Sequence, residues 1–131
     1  MAAIKSYTNI EQSRKLAEFL PIESADMWYQ YTGFSIKDGS EKPRYFPMVI
    51  RDYESDEDIP CWSLAALLNI LHSKAKDIPS LSGGDYKDGN YISDWCLDYE
   101  YDNGNYQKTF ADNPVDACVA MIEKLHEQKL L

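Results

Sequence analysis

The strongest hydrophobic pattern in the chain lies at residues 61–71, CWSLAALLNIL, where only Ser63 and Asn69 are polar. Because these two residues are six positions apart, they do not form a continuous polar stripe along a helix. A helix of this kind is expected to be covered on most sides. The stretch therefore predicts a central core helix, with Asp58 as its N-cap and Pro60 in its first turn.

Amphipathic patterns predict one further helix on each side of this stretch. Thr8 and Glu11 have the spacing of a capping box, which predicts a helix over roughly residues 9–20. Asn113 and Pro114 predict the start of the last helix, as its N-cap and its first position. The apolar stripe of that helix consists of Val115, Cys118, Val119, Ile122 and Leu125.

Two segments in the first half of the chain predict a β-hairpin. Residues 26–32, DMWYQYT, alternate with a period of two and are rich in aromatic side chains. Residues 45–51, YFPMVIR, predict an antiparallel partner. Pro47 favours an edge strand or a bulge, because proline has no amide hydrogen to donate. Residues 33–44, which contain glycine and proline, predict a turn or loop.

A second hairpin is predicted in the second half of the chain. Residues 91–101 alternate clearly between two faces, and Asn103-Gly104 is a strong signal for a tight hairpin turn. Residues 105–110 then return as the partner strand. Residues 74–90 contain two glycine-bearing turn signals and predict a mobile loop.

The predicted order of elements is α-β-β-α-β-β-α. Hairpins dominate over crossover connections, so the sequence predicts an α+β fold with helices on one face of an antiparallel sheet of about four strands. A chain of 131 residues predicts a single domain over residues 1–131.

The net charge of the chain and its lack of long apolar runs indicate which kinds of partner are not expected. Thirteen Lys and Arg residues against twenty-two Asp and Glu residues give a net charge of −9, which disfavours direct nucleic-acid binding through a basic face. The sequence shows neither a membrane-spanning apolar run nor a signal-peptide pattern at its N-terminus. We therefore expect a soluble, cytoplasmic protein that does not bind membranes.

Metal binding is not expected from the sequence. Cys61, Cys96 and Cys118 are odd in number, lie within predicted helices or strands, and predict buried thiols in a reducing compartment. His72 and His126 do not have the paired spacing of a structural zinc site. The acidic run at residues 52–58 alternates as an EF-hand loop does, but it lacks the glycine and the final glutamate. No metal or other cofactor is predicted.

Catalysis is also not expected. The chain contains none of the common nucleophile, metalloprotease or phosphate-loop motifs. A small hydrolase that uses Cys61 or Cys96 is the enzymatic alternative, since a helix N-terminus near Cys61 would lower the pKa of its thiol.

Tyrosines and acids indicate where a partner could bind. A helix layer covers one side of a small sheet, so some of the ten tyrosines should stay exposed beside carboxylates. Tyrosine-rich surfaces favour protein partners; an aromatic-rich core whose hydroxyls reach water is the alternative. The candidate partner-binding residues are Tyr99, Tyr101, Tyr106, Asp98, Glu100, Asp102, Asp52, Glu54 and Asp56.

The central and last helices carry a resemblance to known sequences. CWSLAALLNIL and FADNPVDACVAMIEKLHE resemble stretches of small uncharacterised proteins encoded by phages, prophages and mobile elements of gut bacteria. A WSL…LL helix and an A-[DN]-x-P-[VL]-[DE]-A-C-V-x-M-I helix recur in those proteins. The resemblance covers residues 61–72 and 110–127. It implies a genetic setting, and it implies no activity and no catalytic residues.

Together these patterns predict a non-catalytic accessory protein that binds another protein. The alternative from the charge is an acidic inhibitor or decoy that occupies the basic groove of a nucleic-acid-binding enzyme, and assembly into a homo-oligomer is a further option.

Overall fold

A computed structural model of the chain describes residues 5–37, 40–49, 57–74, 79–87, 89–102 and 105–131. The α-helices and strands in these residues are α1 (Ile10–Ala17), β1 (Met27–Lys37), β2 (Ser40–Met48), β3 (Ile59–Cys61), α2 (Leu64–Lys74), β4 (Ser80–Lys87), β5 (Asn90–Asp102), β6 (Asn105–Ala111) and α3 (Pro114–Glu127). The predicted α+β class is confirmed. The described strands form two antiparallel sheets, ordered β2-β1-β3 and β4-β5-β6, where the sequence predicted one sheet of about four strands.

Contacts along the chain define two compact units. The first unit is Asn9–Ser63, and the second combines Met1–Thr8 with Leu64–Leu131. The single domain predicted for residues 1–131 stays a prediction.

The first unit begins with α1, which is held by a reciprocal cap. The Asn9 side chain accepts a hydrogen bond from the Gln12 amide at 2.7 Å. The Gln12 side chain accepts one from the Asn9 amide at 3.1 Å. The capping box therefore lies one residue later than the Thr8–Glu11 pair that the spacing predicted. Leu16 is buried on the inner side of the helix.

The hairpin of the first unit is longer than predicted. Residues 33–37 and 40–44, which were predicted to lie in a loop, belong to strands, because β1 continues to Lys37 and β2 starts at Ser40, with these two residues paired. Residues 38 and 39 lie outside the described residues. Backbone pairing between the strands overrides the local preference of glycine and proline for turns. The edge position predicted for Pro47 is confirmed, since β2 pairs only with β1 among the described strands.

The segment before α2 is a strand and not the first turn of a helix. Ile59–Cys61 forms β3 and pairs with β1, and α2 begins at Leu64. The prediction that Asp58 caps α2 is therefore wrong. The Asp58 carboxylate accepts a hydrogen bond from the Tyr31 backbone amide at 2.9 Å and so continues the contacts of β3 along β1.

The sheet of the second unit includes a strand that the sequence did not indicate. Residues 80–87, which lie inside the predicted 74–90 loop, form β4 and pair with β5. Gly89 lies between these strands with φ of 81°, in the left-handed region that favours glycine. Lys74, the first residue of the predicted loop, is the last residue of α2, and residues 75–78 and 88 lie outside the described residues.

The last helix is confirmed in detail. The Asn113 side chain caps α3 by accepting from the Asp116 amide at 2.8 Å, and Pro114 lies in the first turn. All five residues of the predicted stripe are buried. The helix packs against β5, β6 and α2. Lys5 forms an ion pair with Asp116 at 2.8 Å, which joins the start of the chain to this helix.

Candidate functional site

The two faces of the β5–β6 hairpin differ in what covers them. The strands are paired from Trp95↔Ala111 to Asp102↔Asn105. Successive residues of a strand point to opposite faces. Leu97 and Tyr99 are fully buried, and the Thr109 hydroxyl on the same face donates to the Ala117 carbonyl of α3 at 2.7 Å. This face is therefore the one that α3 covers.

The opposite face carries a row of side chains that we call the outer strip: Asp98, Glu100, Tyr106, Lys108 and Phe110. Glu100 is paired with Tyr106, Asp98 with Lys108, and Phe110 with Cys96. The Tyr106 side chain is 67% exposed and Phe110 is 43% exposed. Two large aromatic rings thus stand at the surface, four residues apart on one strand.

An ion pair occupies the middle of the outer strip. The Lys108 ammonium lies 3.3 Å from the Asp98 carboxylate, and both side chains are partly exposed. An exposed pair of this kind contributes up to about 1 kcal/mol to folding. The ion pair also lowers the net charge of the surface between the two aromatic rings, because the ammonium and the carboxylate neutralise each other.

The structure brings three of the predicted residues together on the outer strip, namely Asp98, Glu100 and Tyr106. Tyr99 lies on the other face and is fully buried, so its ring is not presented to a partner. Tyr101 and Asp102 belong to β5, but their side chains lie outside the described residues, as do Asp52, Glu54 and Asp56.

Lys108 and Phe110 complete the outer strip and were not among the predicted site residues. A two-residue turn at Asn103-Gly104, as the sequence predicted, would place Thr109 opposite Asp98. The described strands instead pair Lys108 with Asp98 and Phe110 with Cys96, because the register shifts by one residue between Glu100 and Asp102. No signal in the sequence predicts this shift, so the sequence could not have placed Lys108 and Phe110 beside the predicted acids.

The three cysteines are closed to solvent. Cys61 and Cys118 are fully buried, and Cys96 is almost so. Burial raises the pKa of the Cys118 thiol to about 12. A nucleophilic cysteine needs access to its substrate and an accessible thiolate. The predicted thiols are therefore confirmed as buried, and this arrangement gives no support to a cysteine hydrolase.

A groove of about 270 Å³ runs along α2, between Pro79 and the helix residues Ala65, Leu68, Asn69 and His72. Within the described ranges, no three His, Cys, Asp or Glu side chains come together as metal ligands. The groove thus offers one imidazole and one amide on an otherwise apolar wall, and no charged anchor.

An apolar patch in the first unit lies at the end of β2. Phe46 is 48% exposed, and Met48 and Val49 are also exposed. The Arg44 guanidinium lies over the Phe46 ring, 5.6 Å from its centre. This patch therefore already makes a cation–aromatic contact within the chain, and it carries a charge opposite to that of the outer strip.

No protein-family model, no curated protein and no solved structure matches the chain. Among the described residues, no helix combines the length and apolar character needed to cross a membrane. The resemblance to phage-encoded and mobile-element proteins stays a prediction.

Proposed function

We propose that this protein is a non-catalytic binding protein that contacts another protein through the outer strip. The observation that carries this proposal is the exposure of Tyr106 and Phe110 on either side of the Lys108–Asp98 ion pair. Aromatic rings supply large contact area at low entropic cost, and they are enriched in the centres of protein interfaces. An ion pair between them fixes the orientation of a partner without leaving a charge unpaired.

The burial of the thiols supports the non-catalytic part of the proposal. Each cysteine is shielded from any substrate that approaches from solvent. The accessory role in a phage or mobile element is part of the same proposal, and it rests on the resemblance at residues 61–72 and 110–127.

Site-specific photo-crosslinking tests the proposal. A photoreactive phenylalanine analogue replaces Phe110 in one variant and Phe46 in a second, in cells that produce the full chain. The two positions are matched, since both are phenylalanines on edge strands with similar exposure, 43% and 48%. We expect a discrete crosslinked product of defined mass from position 110 and not from position 46.

Removal of the neighbouring ring makes the test specific. Tyr106→Ser in the position 110 variant should abolish the product, because it removes the most exposed ring of the outer strip. Equal products from positions 110 and 46, or a product that survives Tyr106→Ser, would overturn the proposal.

A further inference from the structure

The outer edge of the β2-β1-β3 sheet is formed by β2, which pairs with β1 alone among the described strands. The end of this strand is apolar and exposed: Phe46 is 48% exposed, Met48 is 40% exposed, and Val49, the next residue, is 81% exposed. An exposed edge strand with apolar side chains is a template for pairing with another chain, and natural proteins usually block such edges. The backbone directions of β1 and β2 show how this edge is blocked.

The Tyr31 amide fixes the direction of the backbone groups along β1. It donates a hydrogen bond to the Asp58 carboxylate at 2.9 Å, and Asp58 directly precedes β3. The Tyr31 amide therefore points toward β3. Because successive residues of a strand direct their backbone groups to opposite sides, the N–H and C=O of Gln30 point toward β2.

The direction of β2 follows from its pairing with Gln30. The residue opposite Gln30 is Phe46. Two antiparallel residues that face each other with inward-pointing backbone groups exchange both hydrogen bonds. Phe46 therefore directs its N–H and C=O toward β1. Its two neighbours in the strand, Tyr45 and Pro47, direct theirs away from β1, toward the outer edge.

Two prolines occupy outward positions on this edge. The carbonyl of Arg44 accepts a hydrogen bond from the Thr32 side chain of β1 at 3.1 Å, so the alternation continues at this end of the strand. Three successive outward positions of β2 are therefore Pro43, Tyr45 and Pro47. Proline has no amide hydrogen to donate to a neighbouring strand. Of the three, only Tyr45 can donate, and an incoming strand would lose two of three hydrogen bonds from this edge.

We propose that β2 is a pairing edge for a second copy of this chain, and that Pro43 and Pro47 keep it closed. A strand that pairs antiparallel with its own copy across a two-fold axis presents the same residues on both sides. Residues 45–50, YFPMVI, contain no charged side chain, so two copies could meet there without direct repulsion in spite of their net charge of −9. This inference concerns the first unit and does not depend on the outer strip.

Amide hydrogen exchange of the wild-type protein tests the backbone directions. The Phe46 amide faces β1 and should exchange at least about a hundredfold more slowly than in an unstructured chain. The Tyr45 amide faces outward and should exchange within about tenfold of the unstructured rate. The two amides are adjacent in one strand, so local opening of β2 affects both equally. Strong protection of the Tyr45 amide would overturn the inference, because the outer edge would then already be paired.

Substitution of the prolines tests the block itself. Pro47→Thr restores an amide hydrogen on the edge and supplies a β-branched residue, which favours strands. Sedimentation velocity over a roughly hundredfold range of concentration detects reversible association of the full chain. We expect self-association to become about tenfold tighter or more, because two hydrogen bonds are regained, one in each copy. The double variant Pro43→Thr/Pro47→Thr should associate more tightly still.

Two controls separate the edge from a general effect of losing proline. Pro21→Thr makes the same chemical change at an exposed residue outside the strands, so it should sediment as the wild-type protein does. Phe46→Lys added to Pro47→Thr should return the association to the wild-type level, because lysine on an edge strand opposes pairing.

Circular dichroism shows whether each variant keeps the native fold. Folded Pro47→Thr and double variants that sediment as the wild-type protein does would overturn the inference. Association that Phe46→Lys does not reduce would also overturn it, because the contact would then lie outside β2. If the proline variants do not fold, the exchange rates of Tyr45 and Phe46 in the wild-type protein still decide the question.

Discussion

Tyr99 and Gln107 lie directly opposite each other on β5 and β6, on the face covered by α3, and each has a buried polar atom without a hydrogen-bond partner. The Tyr99 hydroxyl and the Gln107 side-chain carbonyl have no partner among the described residues. The amide end of Gln107 is satisfied, since it donates to Gln128 at 2.8 Å. Burial also raises the pKa of Tyr99. The interior of the second unit thus contains polar groups that reduce its stability.

Removal of the Tyr99 hydroxyl should therefore not destabilise the protein. Tyr99→Phe keeps the ring in the core and removes a buried hydroxyl that lacks a partner. A buried polar group of this kind costs about 1–3 kcal/mol. We expect the free energy of unfolding, measured by urea denaturation, to stay the same or to rise by about 1 kcal/mol.

Tyr106→Phe is the matched control, because the same hydroxyl is removed from a largely exposed ring. Its effect should stay within about 0.5 kcal/mol of zero. A loss of stability above about 1 kcal/mol in Tyr99→Phe would show that the hydroxyl is hydrogen-bonded in the folded protein.

The thiol of Cys118 should make stability fall at alkaline pH. Its pKa rises from 9.0 to about 12 on folding because it is buried in α3. The folded state therefore favours the neutral thiol. The resulting contribution to the free energy of unfolding is fully present below about pH 9. As pH rises from about 9 to 12, the unfolded chain ionises first, and stability should fall by about 1.4 kcal/mol per pH unit.

The difference in the free energy of unfolding between the wild-type protein and Cys118→Ala, followed as a function of pH, gives the contribution of this thiol alone. Both proteins contain the same other titrating groups, so their contributions to the pH dependence cancel. Urea denaturation at pH 8, 9 and 10 should show a steeper loss for the wild-type protein. Parallel curves would contradict burial of a neutral Cys118.

The last helix shows what local sequence could predict. Asn113, Pro114 and the apolar stripe of α3 act within a few residues of each other, and each was predicted from spacing alone. The alternation of β5 was equally informative, because it placed Tyr99 with Leu97 on one face and Asp98 with Glu100 on the other. Local periodicity is sufficient to predict a helix or strand that packs one face against the hydrophobic core.

Elements that exist because a distant strand pairs with them could not be predicted. β3 is three residues long and contains Pro60, and it is a strand because it lies against β1. β4 contains Gly83, which locally favours a turn, and its pairing with β5 overrides that preference. Tyr99 was proposed as a contact residue because tyrosine is common at interfaces, whereas its place in the alternation already indicated the core.

Thiol reactivity should separate a binding protein from a cysteine hydrolase. All three thiols are buried, so reaction with a water-soluble disulfide reagent requires the protein to unfold at least locally. We expect labelling of the native protein to be at least about a hundredfold slower than labelling in urea. One cysteine that reacts rapidly under native conditions would restore the hydrolase hypothesis.

The cap of α3 should contribute measurably to the stability of the second unit. The Asn113 side chain accepts from the Asp116 amide and donates to the Asp116 carboxylate, both at 2.8 Å. Asn113→Ala removes both contacts and should lower the free energy of unfolding by about 1 kcal/mol. Asn113→Ser keeps a capping oxygen and should recover most of the loss in thermal or urea denaturation. Equal losses in the two variants would mean that the cap itself is not the cause.

Salt dependence should distinguish a contact through the outer strip from an acidic decoy. The outer strip contains only three charged side chains, Asp98, Glu100 and Lys108, and Lys108 forms an ion pair with Asp98. The contribution of the two aromatic rings does not depend on salt. Between about 50 and 500 mM salt, the yield of the crosslink from position 110 should therefore fall by about tenfold or less. A decoy that displaces nucleic acid would use many carboxylates at once, and its binding would fall much more steeply. A steep loss that Glu100→Gln does not reduce would favour the decoy, because it would locate the binding charges outside the outer strip.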